Sequence, residues 1–195
     1  LDAGFVEQHT YGFEALAALP AGKALLDRHN LVWRAPISAD AAQQLLSFWR
    51  TQNADGTLAY DFTDASLDTR FLGDLYQDLS DVAKKKYALL QTPVFVEEFI
   101  LDRTLTPAIA QFGIEGLRLI DPTCGSGHFL LGAFDRLLDQ WHAKAPGIDA
   151  RERVQRALDS ISGVDLNPFA IAIARFRLTV AAMRAAGIDR LKDAP

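Results

Sequence analysis

The chain has 195 residues, 49% of them hydrophobic and 23% charged, which is enough apolar surface for a core of ordinary domain size and too much for a disordered tail. A formal net charge of -5 excludes the whole chain as a nucleic-acid clamp, because phosphate contacts need Lys and Arg in excess on the binding face. One cysteine excludes internal disulfides and a multi-cysteine zinc site. No apolar run could cross a bilayer without Arg or Asp interrupting it, and no signal peptide is evident, so a cytoplasmic protein without membrane association is expected. The chain opens at Leu1 and stops at Asp193-Ala194-Pro195 without an obvious terminal element, which leads us to expect a segment of something longer.

In chain order, Phe13, Leu16, Ala17, Leu19, Leu25 and Leu26 suggest two short helices with Pro20-Ala21-Gly22 as the break between them. His9 and His29 have no partner at metal-ligand spacing, and no metal site is expected. Ser38 or Asp40 can cap a helix from about Ala39 to Arg50 whose Leu45, Leu46, Phe48 and Trp49 form an apolar face. The turn formers from Thr51 to Thr57 mark a loop, and we expect a helical region over residues 1–66 ahead of a second domain over 67–195. That domain opens with an amphipathic helix carrying Phe71, Leu72, Leu75, Leu79 and Val82 on one stripe. Lys84-Lys85-Lys86 follows, equally well read as a solvated helix end or as a phosphate contact. Thr92 and Pro93 then suit the N-cap and first position of a helix through Val94, Phe95, Val96, Phe99, Ile100 and Leu101, which Pro107 ends or kinks.

The centre of the chain is Asp121-Pro122-Thr123-Cys124-Gly125-Ser126-Gly127-His128-Phe129. The apolar run Leu117 to Ile120, interrupted only by Arg118, reads as a short buried strand of the parallel-sheet kind that ends at Asp121 and Pro122. Gly125 and Gly127 let the chain turn and clear side chains from its path, so that a ligand can lie against the peptide groups. Phe129, Leu130, Ala133, Phe134, Leu137, Leu138 and Trp141 follow at helical spacing. A dinucleotide fingerprint would place a third glycine where Leu130 stands, and a phosphate-binding loop would follow Gly127 with Lys and Ser or Thr. Asp121 beside an open loop suits instead a ligand with a cationic ammonium group and a bulky uncharged middle, such as S-adenosyl-L-methionine.

Beyond Pro146-Gly147, Arg151 to Ile161 reads as a helix, and Ser162 to Leu166 as a second strand with Asp165 at its tip, where a carboxylate can accept both hydroxyls of a ribose. Asn167 and Pro168 then cap and start a helix through Ile171, Ile173, Ala174, Leu178, Val180 and Ala181, its run broken by Arg175 and Arg177.

The segment Asp121 to Phe129 resembles the Asp-Pro-x-Cys/Ala-Gly-Ser-Gly-x-Phe motif of the amino-methylating DNA methyltransferases, and Gly163 to Ala170 resembles their second motif. Leu72-Gly73-Asp74-Leu75-Tyr76-Gln77-Asp78-Leu79 is similar to the segment that precedes the cofactor region in modification subunits of restriction systems, and Gln91-Thr92-Pro93 to an aromatic-Thr-Pro sequence that touches the methionine end of the cofactor. Here Gln91 replaces the aromatic. Taken together these stretches look closest to the adenine-specific methyltransferases of BREX phage-defence systems, type 2 branch.

The resemblance implies an incomplete Rossmann-like α/β fold behind a mainly helical lead-in, with S-adenosyl-L-methionine as cofactor. Cofactor contacts carried over by position are Thr92, Asp121, Pro122, Thr123, Cys124, Gly125, Gly127, Phe129, Asp165 and Leu166. It also implies methylation of adenine N6 in double-stranded DNA, held through the remainder of a larger protein, with other phage-defence proteins as further partners.

The Asn/Asp-Pro-Pro-aromatic tetrapeptide that aligns the target amine in such enzymes does not occur, since Asn167-Pro168-Phe169 has a single proline. The expectation is therefore cofactor binding without turnover, with no catalytic residue in the segment. Cys124 lies inside the loop and reads as a packing residue. Competing readings are the modification subunit or fused methylase of a type I or IIG restriction system, a non-catalytic assembly module, and a nicotinamide oxidoreductase, the last disfavoured by Leu130. Two parallel strands leave both faces and both edges in need of cover, so a marginal fragment, or one completed by a second copy, is expected.

Overall fold

Proline at a first helical position and a hydroxyl at an N-cap place the helices of the N-terminal unit. In the computed structural model, which describes residues 11–28, 30–34, 36–60, 69–78, 85 and 92–194, a helical stretch over 11–17 turns at residues 18–19 into helix α1 (Pro20–Leu25). Pro20 thus starts the second helix and does not form the break: its fixed φ suits the first position, where its missing N–H has no partner to lose. Ser38 caps α2 (Ala39–Trp49) by accepting from the Ala41 amide. Only Ala42 of α2 is buried, while Leu45, Phe48 and Trp49 are exposed and Phe48 stacks on Tyr60 at 4.3 Å. His9, His29, Leu79, Val82, Lys84, Lys86 and Gln91 lie outside the described residues.

The chain forms two compact units, Leu1–Leu67 and Asp68–Pro195. The second begins with α3 (Arg70–Asp78), followed by α4 (Val94–Arg103) and α5 (Leu105–Phe112). Two expectations about this stretch are corrected. The N-cap of α4 is Pro93, not Thr92: with ψ at 145° it stays extended, and its carbonyl accepts from the Val96 and Glu97 amides. The break after α4 falls at Thr104, whose hydroxyl donates to the Ile100 carbonyl, whereas Pro107 sits inside the first turn of α5 where no backbone donor is needed. The apolar stripe of α4 faces outward, with Phe95, Phe99 and Ile100 exposed, and the buried residues are Glu97 and Leu101.

Strand β1 (Leu119–Asp121) pairs in parallel with β2 (Ile161–Gly163), in the register Leu119 to Ile161, Ile120 to Ser162 and Asp121 to Gly163. Between them run α6 (His128–Lys144) and α7 (Ala150–Asp159), and α8 (Pro168–Ala185) follows. Both strands sit slightly off their expected bounds, and Ile161 opens β2 where the helix period had placed it in α7. β1 is also not a buried strand. Ile120 is 64% exposed, because among the described residues one face of the two-stranded sheet has nothing packed on it, while Leu119 points to the covered face.

That covered face rests on α6, whose Leu130, Ala133, Phe134, Leu137, Leu138 and Trp141 are buried as their spacing predicts. Leu101, Leu105, Val154, Ala157 and Ala182 close around them from α4, α5, α7 and α8. Each large apolar side chain so buried contributes about 1.5–3 kcal/mol, which makes α6 the spine of the unit. Its N-terminus opens directly off the end of β1. The fold is a mixed helical one around a small parallel sheet, consistent with part of an α/β methyltransferase domain.

Candidate functional site

The glycine segment leaves β1, turns through Gly125 (φ 52°) and Gly127 (φ 87°), and enters α6 with Gly127 as its N-cap. Both glycines occupy the left-handed region that other residues avoid. They differ in what surrounds them. A side chain on Gly127 would meet Ala174 Cβ of α8 at 3.0 Å, so this glycine allows helix and loop to close, while among the described residues nothing lies within 4 Å of the Cβ position of Gly125. Gly125 therefore keeps an open surface beside the loop.

The loop is held by a ladder that continues the sheet. The Val164 amide donates to the Asp121 carbonyl at 2.9 Å, the Cys124 amide to the Val164 carbonyl at 3.0 Å, and the Gly127 amide to the Cys124 carbonyl at 2.8 Å. Asp165, just past β2, accepts from the Gly125 amide on Oδ2 at 2.8 Å and from the Asn167 amide on Oδ1 at 2.7 Å. The amides of Cys124, Gly125 and Gly127, expected to be donors for a ligand, are thus engaged inside the loop. Asp165 stitches the loop to the second turn and retains one lone-pair position on each oxygen for a further donor.

Asp121 is placed differently. Oδ1 accepts from the Thr123 amide at 3.1 Å, whereas Oδ2 is buried and has no hydrogen-bond partner among the described residues. Burial raises its carboxyl above the ordinary value, the Thr123 amide opposes this, and the nearby Asp165 carboxylate adds to the rise. Two carboxylates thus face one turn with one oxygen unserved, an arrangement that a cation would relieve.

Cys124 is buried, and burial first, then Asp121 and Asp165, push its thiol up to about 11. Its sulfur would lie 2.9 Å from a Cβ on Gly163, so it packs between loop and sheet. Alkylation of Cys124 in the native protein at pH 8 should be about 100-fold slower or more than that of an unfolded peptide, since about one thiol in a thousand is ionised there. Rapid labelling in a stopped time course would show that the loop opens readily.

Of the remaining expected site residues, Pro122, Thr123 and Leu166 are exposed around the loop, Leu166 at 95%, and Phe129 is half-buried at the start of α6. Thr92 is half-buried ahead of α4, and among the described residues no hydrogen bond joins it to the loop.

Three side chains to which the sequence reading assigned no site role are buried or half-buried on the helices around the loop. Arg177, taken as an interruption of α8, is 2% exposed and donates from Nη1 to the Ser126 carbonyl at 2.7 Å. Glu97 of α4 is buried; its carboxyl is raised by burial and held back by Arg70 and Arg177. Tyr76 of α3 reaches Asn167, which is 1% exposed, and the Asn167 side chain also accepts from the Phe169 and Ala170 amides as the expected N-cap of α8. The one available signal was the position of Arg177 on α8, one turn from Ala174 and two from Ala170, all three buried on one face of the helix. Among the described residues no cluster of His, Cys, Asp or Glu could hold a metal ion, and no helix is long and apolar enough to cross a membrane.

The family model of the MmeI DNA-methyltransferase domain matches residues 107–191, which run from α5 through both strands and the loop to the end of α8. The chain is 57% identical over 190 residues to the adenine-specific methyltransferase PglX of Streptomyces coelicolor, a match that covers 93% of this chain and 16% of that protein. It is 31% identical over 84 residues to a protein of Methanocaldococcus jannaschii named for a type II restriction enzyme and methyltransferase, covering 40% of this chain and 7% of that one. The chain thus spans less than a fifth of the length of these relatives. No solved structure matches it. Residues 107–191 thus match a DNA-methyltransferase domain, and along nearly its whole length the chain is similar to the adenine-specific methyltransferase PglX.

Proposed function

We propose that this chain is the S-adenosyl-L-methionine-binding portion of a site-specific DNA N6-adenine methyltransferase that marks host DNA in phage defence. Residues 67–195 form the cofactor-binding part of an incomplete Rossmann-like domain, and residues 1–66 its helical lead-in. The observation that carries the reading is that, among the described residues, the buried Oδ2 of Asp121 is unserved and the Cβ side of Gly125 is open. A buried carboxylate oxygen costs free energy until a cationic donor reaches it, and an adenosyl amino acid brings its ammonium group there. Asp165 is the ribose acceptor through its remaining lone pairs, with Pro122, Thr123, Phe129 and Leu166 around the nucleoside and Thr92 toward the methionine end. The bound cofactor supplies an electrophilic methyl group for an exocyclic amine.

The chain's own residues bind and orient. None of them aligns the amine, because the Asn/Asp-Pro-Pro-aromatic tetrapeptide is absent from this sequence. Double-stranded DNA is then held by other parts of the full protein, in keeping with the net charge of -5. The relative from M. jannaschii favours a second reading, a modification unit within a restriction system, which shares the same cofactor step.

Titration calorimetry of the chain with S-adenosylhomocysteine tests the reading, with a dissociation constant on the order of micromolar expected for a loop site of this kind. Gly125→Val should abolish the heat, since a β-branched residue cannot adopt φ near 52° without strain and would fill the open face. Absence of binding to the unmodified chain overturns the proposal.

A further inference from the structure

The glycine loop is tied to a helix more than forty residues upstream of it in sequence. Tyr76 of α3 places its phenol oxygen 2.9 Å from Asn167 Nδ2, which donates to it, and 3.2 Å from Asn167 Oδ1, to which its own hydroxyl can donate. The ring is tilted against Phe169 at 6.3 Å between centroids. The Asn167 amide donates to Asp165 Oδ1, and Asp165 Oδ2 accepts the Gly125 amide. A continuous run of hydrogen bonds therefore leads from Tyr76 through Asn167 and Asp165 to the turn at Gly125.

We propose that Tyr76 is a positioning residue for the cofactor loop, acting through Asn167 and Asp165, so that the seating of α3 on the start of α8 sets how tightly an adenosyl compound is held. The physical basis is the crowding of Asn167. Its Oδ1 already serves the Phe169 and Ala170 amides, and its orientation decides where its own backbone amide meets Asp165. The phenol fixes which way the amide group points. Without that hydroxyl, Asn167 keeps its capping role but gains freedom to rotate, and the slack passes to the carboxylate that fixes Gly125. α3 thereby becomes the handle of the loop: an event that lifts it from α8 would loosen cofactor binding without touching the cofactor.

The inference rests on the cofactor reading above, and its test separates the two. Tyr76→Phe keeps the ring against Phe169 and removes only the hydroxyl. In the 195-residue chain it should weaken S-adenosylhomocysteine binding about three- to tenfold, the worth of one partly buried hydrogen bond, and speed hydrogen exchange of the peptide covering residues 121–129 while leaving that covering 133–141 unchanged. A purely structural role would speed exchange in both peptides alike. Asn167→Ser retains a capping hydroxyl but cannot reach Tyr76, so adding Tyr76→Phe to it should change neither readout further. If the unmodified chain binds no adenosyl compound, the proposed function fails and the exchange arm alone decides the role of Tyr76. Unchanged exchange at 121–129 in Tyr76→Phe, or a full additional effect on Asn167→Ser, overturns the inference.

Discussion

Arg177→Met is expected to lower the unfolding free energy by about 3–5 kcal/mol, the largest stability loss of any single change outside the apolar core. Methionine matches most of the length of the arginine stem, so the cavity left behind is small and the loss is electrostatic. Two groups lose by it. The Ser126 carbonyl, between the two left-handed glycines, loses the donor at 2.7 Å, and Glu97 loses one of the two arginines that oppose the effect of its burial. Glu97 already has its carboxyl raised above the ordinary 4.5 in the folded chain. The fold therefore binds that proton more tightly than the unfolded chain does, and stability falls as pH rises from 4.5 through the raised value. Loss of the arginine raises it further, so the deficit of Arg177→Met should be largest at pH 7 and shrink toward pH 5. Urea denaturation at both pH values measures this, and Glu97→Gln added to Arg177→Met should recover part of the loss at pH 7. A pH-independent deficit, or one below about 1 kcal/mol, would show that Glu97 and Arg177 are not coupled.

Arg177 also marks where sequence reading stops. Local chemistry was legible: the helical spacing from Leu130 to Trp141 gave the buried face of α6, and Asn167 with Pro168 gave the start of α8. The left-handed turns were legible for the same reason, since Gly125 and Gly127 are demanded by backbone angles at their own positions. What could not be read depends on partners far along the chain. Periodicity assigns charged residues to water, so Arg177 was read only as a break in the apolar run of α8 and Glu97 was given no role. Their burial follows from the loop carbonyl at Ser126 and from each other, on α8, α4 and the loop. Tyr76 and Asn167 are 91 positions apart, and nothing local announces that pair. The opposite error fell on Ile120, expected in a buried strand and found exposed because one face of the two-stranded sheet is uncovered among the described residues, while α4 turns its glutamate inward and leaves Phe95 and Phe99 exposed.

Asp121→Asn should separate stability from binding. In the folded chain the Asp121 carboxyl is raised above its ordinary 3.8 by burial and by Asp165, so its ionised form works against folding once pH exceeds that window. An amide keeps the acceptor for the Thr123 amide and removes the charge, so the ligand-free variant should be more stable than the unmodified chain by about 1 kcal/mol at pH 7. The difference should fade as pH falls below 3.8, where Asp121 is protonated in both folded and unfolded chains. Binding moves the other way. One charge-assisted hydrogen bond is worth about 1.5–3 kcal/mol, so affinity for S-adenosylmethionine should drop about 10- to 100-fold. S-adenosylhomocysteine carries the same ammonium group and no sulfonium charge. If Asp121 serves the ammonium group, calorimetry should give equal losses for both compounds, whereas a loss confined to S-adenosylmethionine would place the carboxylate at the sulfur instead. A variant that binds both as tightly as the unmodified chain would remove Asp121 from the site, and with it the reason for a buried, unserved oxygen at the tip of β1.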